Sequence, residues 1–86
     1  MRISTTVAVS VVYPGVTGGA IFSGRDAGGA FLRFVAHRDR IFRPPVVGEV
    51  WSLEGECERH PMYGEQVRVQ RASLVQPSGK LIGTRP

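Results

Sequence analysis

Lysine is almost missing from this chain of 86 residues: Lys80 stands beside ten arginines. Cysteine is as scarce. Cys57 has no second thiol to pair with, so a disulfide-stapled secreted mini-domain is excluded. A reducing, cytoplasmic setting fits that usage. No run approaches the ~20 apolar residues of a membrane span. The valine-rich stretch after Met1-Arg2-Ile3-Ser4-Thr5-Thr6 lacks the cleavage site of a signal peptide and reads as a strand. Helix signals are lacking too, since no window sustains i, i+3, i+4, i+7 spacing with caps. A phosphate-cradling G-x-x-x-x-G-K-[ST] loop is absent. Ser78-Gly79-Lys80-Leu81 has neither the leading glycine nor a hydroxyl residue after the lysine. The length itself excludes a motor ATPase or a dinucleotide-dependent oxidoreductase.

What is present is an all-β pattern. Eleven glycines and six prolines cut the chain into short pieces rich in valine, phenylalanine and leucine. Five strands are expected. The first covers about 6–12, with Val7, Val9 and Val11 on one face. The second covers 19–23 and is followed by a turn from Gly24 to Gly29 that carries Arg25. The third covers 30–37. It sets Phe31, Arg33, Val35 and His37 on one side and Leu32, Phe34 and Ala36 on the other. The fourth covers 49–59. Trp51, Leu53, Gly55 and Cys57 face inward, opposite Ser52, Glu54, Glu56 and Glu58. The fifth covers 65–74, with Val67 and Val69 inward and Arg68 and Gln70 outward.

Five short strands with a connection between the third and fourth predict a five-stranded Greek-key barrel of the OB type, with an SH3-like barrel as the alternative. The barrel takes residues 1–75, and 76–86 form a linker or tail. The polar connection at 38–45 has room for one helical turn before Pro44-Pro45. Its Ile41-Phe42 pair, with Val46 and Val47, either plugs the barrel end or forms an exposed docking edge.

One segment carries a resemblance. Gly48-Glu49, Gly55, His60-Pro61, Tyr63-Gly64 and Gln66 stand at the spacing seen in the N-terminal OB-like domain of RecD/TraA-type ATP-dependent DNA helicases, which the chain resembles over about a quarter of its length. The stretch from Gly24 to Phe31 departs from that family's pattern. The resemblance implies a module of DNA metabolism whose motor lies outside this chain. It also implies single-stranded DNA and the helicase motor, or another DNA-metabolism protein, as partners. The same residues have a plain turn-making role. Pro61 fixes φ, and Gly64 can supply a positive one.

The charge is uneven. Carboxylates gather on the fourth strand, whereas five of the ten arginines lie between Arg25 and Arg43. Single-strand-binding barrels combine a basic groove with aromatic platforms. Arg25, Arg33, Arg38, Arg40 and Arg43 are therefore the candidate phosphate contacts. Phe31 or Phe34 is the stacking platform, whichever faces out, and His60 and Tyr63 are secondary contacts. The fourth strand's acidic stripe would repel phosphate. Arg68 faces it from the fifth strand, and Arg71 does so only if a bulge turns it outward. Cys57 and His60 have ligand-like spacing, but a zinc site needs a second pair, so no metal or other cofactor is expected. No nucleophile elbow or facing carboxylate pair points to an enzyme. The competing function is a protein-docking or spacer module without nucleic-acid affinity.

Overall fold

The computed structural model describes residues 1–78. Five strands run in chain order: β1 (Arg2–Val12), β2 (Gly19–Asp26), β3 (Phe31–His37), β4 (Val50–His60) and β5 (Gly64–Gln76). They close into a barrel in the order β1-β2-β3-β5-β4. The stretch β4-β1-β2-β3 is the 4-1-2-3 arrangement of a Greek key. β5 completes the circle by pairing antiparallel with β4 and parallel with β3. An antiparallel meander would contain no parallel contact, so the OB-type reading describes the chain. The expected tail begins within β5 at Gln76. The rest of it from 79 onward, with the fragment around Lys80, lies outside the described residues.

Alternation builds the core. Val7 and Val9 of β1, Ala20 and Phe22 of β2, and Phe34 and Ala36 of β3 point inward. Trp51 and Leu53 of β4 and Val67 and Val69 of β5 meet them. Phe22 and Phe34 are cross-strand partners whose rings stack at 5.4 Å. Phe34 is thus wholly enclosed, and Phe31 is the phenylalanine of β3 that faces solvent. Gly55 sits where β4 bends against β5. A Cβ there would collide with the Arg68 carbonyl oxygen.

Several expectations need correction. Val11 is exposed and does not share the inner face of Val7 and Val9. A bulge between Val9 and Val11 inverts the alternation and turns Val12 inward. β1 begins at Arg2, because its first half pairs with β4 over Arg2–Ala8. β2 continues to Asp26, so Arg25 lies in a strand rather than a turn. Asp26 itself closes the following turn by accepting the Ala30 N–H through Oδ1 at 2.9 Å. A second bulge between Glu54 and Gly55 sets Arg71 opposite Glu54. Cys57 packs on the core but is only partly buried.

The 38–49 connection forms turns and no helix. Its apolar residues divide between the two expected roles. Ile41 and Pro45 are buried at the barrel end, while Phe42 is 69% exposed and Val46 and Val47 are exposed with it. Ile41→Ala is expected to cost about 2–4 kcal/mol by emptying that end. Phe42→Ala, removing a ring that merely leans on Trp51 at 5.3 Å, should cost about 1 kcal/mol at most. Chemical denaturation of both variants checks the contrast.

Glu49 pins the connection to the core. Its carboxylate accepts two hydrogen bonds from Arg43, at 3.0 and 2.7 Å, one from the Val46 N–H at 2.8 Å and one from the Trp51 indole at 3.0 Å. The Arg43 hydrogen bonds, helped by those from Val46 and Trp51, outweigh burial and lower the Glu49 pKa from 4.5 to about 2.

Candidate functional site

The outer face of β2 and β3 carries the densest grouping of arginine and aromatic side chains. Phe31, Arg33, Val35 and His37 point outward along β3 at two-residue intervals, a track of about 20 Å. Two connections lean over it, the β1–β2 segment 13–18 and the β4–β5 turn 61–63.

The turn is built from within. His60 Nδ1 accepts the backbone N–H groups of Met62 at 3.0 Å and Tyr63 at 3.3 Å. Gly64 follows with φ +79°, a left-handed conformation that a side chain would strain. The His60 and Tyr63 rings then pack at 4.7 Å. The result fixes Tyr63 over β3 while leaving it 57% exposed.

Arg33 meets that ring. Its guanidinium carbon lies 4.3 Å from the Tyr63 centroid and 5.3 Å from that of Tyr13. Tyr13 reaches in from the other connection, its hydroxyl 3.3 Å from Ser23 Oγ. Arg33 Nε donates to Gln66 Oε1 at 3.2 Å, and Gln66 Nε2 donates to Glu58 Oε2 at 2.8 Å. Arg68 Nε donates to the other Glu58 oxygen at 3.0 Å. The Gln66 amide and then the Arg68 guanidinium hold the Glu58 pKa below its usual range. Two residues before Arg33 on β3, Phe31 is 51% exposed, and the guanidinium of its β2 neighbour Arg25 lies 5.1 Å from its ring centre.

Beyond Val35 the parallel contact ends, since only Phe34↔Val67 and Val35↔Arg68 pair. A groove of about 570 Å³ opens there between the 16–18 segment and β5. Ile21, Val35 and Val69 line it, and His37, Arg40 and Arg68 stand on its rim.

The nine expected contact residues therefore separate. Arg25, Phe31, Arg33, His60 and Tyr63 come together on the β2–β3 face, and Arg40 lies on the groove that continues it. Phe34 does not join them, because it fills the core. Arg43 is committed to Glu49 at 2.7 Å. Arg38 lines a separate small hollow with Ile41, Phe42 and Pro44. Among the described residues, Arg25, Arg33, Arg38 and Arg40 make no ion pair, whereas the acidic wall of β4 is answered by Arg2 on Glu54 and Arg68 on Glu58. Tyr13 stands outside the residues expected from the sequence. An aromatic residue directly before the Pro14-Gly15 turn was its only local signal. Among the described residues no three His, Cys, Asp or Glu side chains are grouped to hold a metal ion, and no helix is long and apolar enough to cross a membrane.

No protein-family model matches the chain, and no curated protein matches it.

Proposed function

We propose that the chain is an accessory single-stranded DNA-binding module that acts beside an ATP-dependent helicase motor, as the RecD/TraA resemblance implies, in the cytoplasm. The observation that carries the reading is the Arg33 guanidinium lying against Tyr13 and Tyr63. Those two rings arrive from different connections on the face where OB barrels take oligonucleotides. Phe31 supplies a second platform for a base. Arg25 and Arg40, free of ion pairs among the described residues, supply phosphate attraction.

The test is a fluorescence-anisotropy titration with an oligothymidylate of roughly 15 nucleotides, within the span one such barrel covers. Affinity should fall as salt rises, by about 0.7 in log Kd per tenfold salt for each phosphate neutralised. Two such arginines give a slope of about 1.4. Absence of binding at low salt overturns the reading.

The exposed group of Phe42, Val46 and Val47 favours the second reading, a protein-docking module. That surface is apolar and belongs to the 38–49 connection, whereas the β2–β3 face is where cationic and aromatic groups coincide.

A further inference from the structure

We propose that Arg33 reads guanine in the bound strand, its two terminal Nη groups donating to O6 and N7. The inference rests on the single-strand reading above and names the base at the centre of that site.

Arg33 is held by one end of its guanidinium. Its guanidinium has five N–H groups in a fixed fork. Nε is committed to Gln66, and among the described residues Nη1 and Nη2 have no partner. Gln66 is buried, and its other end is fixed by Glu58, which Arg68 holds in turn. The Nε bond sets the direction of the fork, and the Tyr63 and Tyr13 rings beside the guanidinium confine it. A fork fixed in this way loses little freedom when it binds. It offers two parallel donors beside an exposed aromatic surface.

The partner must present two adjacent acceptors and a flat face. Guanine has both, with O6 and N7 on one edge. Adenine sets a donor next to N7, and thymine has no adjacent acceptor pair. Cytosine offers N3 and O2, but its single ring covers less of a tyrosine face. A phosphate could also take the fork. Arg25 and Arg40 are exposed and better suited to it, since a backbone contact needs charge rather than a fixed orientation. The remaining motif residues fit the same purpose. His60 and Gly64 shape the turn that carries Tyr63, and Gln66 aims Arg33.

The experiment uses the wild-type chain and oligothymidylates with one central substitution. A single guanine should tighten binding about tenfold over thymine. Adenine and cytosine should not, and 7-deazaguanine, which lacks the N7 acceptor, should lose most of the gain. Arg33→Lys, confirmed folded by circular dichroism, keeps the charge without the fork, and the ratio of its affinities for the guanine-containing and all-thymine strands should fall to about one. Equal affinity for all strands overturns the inference while leaving the single-strand reading intact. So does a cytosine preference. An Arg33→Gln variant whose salt slope drops by about 0.7 without any base preference marks a phosphate contact and also overturns it. Failure to bind any strand overturns both.

Discussion

Glu49→Ala is expected to lower the melting temperature by at least about 4 °C. The carboxylate receives four hydrogen bonds, and its side chain is nearly enclosed. Alanine leaves the Trp51 indole N–H buried without an acceptor and Arg43 without its counter-ion. Leaving that buried donor unsatisfied costs about 1–3 kcal/mol, while Arg43, more than a third exposed, is taken up by water. A domain of this size has about 5–15 kcal/mol in all, and 1 kcal/mol moves the midpoint by about 4–8 °C. The same carboxylate gives the barrel an acid dependence. Its folded pKa is depressed from 4.5 to about 2, so its contribution is fully present above pH 4.5 and decays as pH falls toward 2. Thermal melts at pH 7 and pH 3 check both statements. The variant should lose less on acidification than the wild type. A pH 7 midpoint within about 1 °C of wild type contradicts the account of how the 38–49 connection is anchored.

The second large effect is on binding. Phe31→Ala with Tyr63→Ala should weaken single-strand affinity by at least roughly thirtyfold. Each stacked base is worth about 1–3 kcal/mol, and 1.4 kcal/mol is a factor of about ten. Both rings are more than half exposed, so their removal leaves the core of Phe22, Phe34, Trp51 and Leu53 untouched. The loss therefore reports contact rather than unfolding. Removing Tyr63 also frees one side of Arg33, which adds to the effect.

Much of the barrel could be read from alternation. Trp51 with Leu53 and Val67 with Val69 appear in sequence as period-two pairs, and they meet in the core as such. Inversion by a bulge could not be read. Nothing in Ser10 or Val11 announces that the ladder with β2 slips there, because the slip belongs to the pairing and not to either strand alone. The phenylalanines of β3 show the same limit. Periodicity put Phe31 and Phe34 on opposite faces, but only the stacking of Phe34 on Phe22 decides which is enclosed. Arg43 looked like one more cation in a basic stretch. Its neutralisation by Glu49, six positions away across Pro44-Pro45, is a product of the folded connection. Tyr13 and Gln66 gain their importance from Arg33, 20 and 33 residues away, and contacts of that range leave no local mark.

The most direct measurement is a pair of anisotropy titrations at low salt, in which the wild-type chain and the Phe31→Ala/Tyr63→Ala variant bind the same labelled oligothymidylate. The account predicts saturable binding by the wild type and a loss of roughly thirtyfold or more in a variant with an unchanged circular-dichroism spectrum. Equal affinity of the two proteins, or no binding by the wild type, would contradict the claim that the β2–β3 face takes single-stranded DNA.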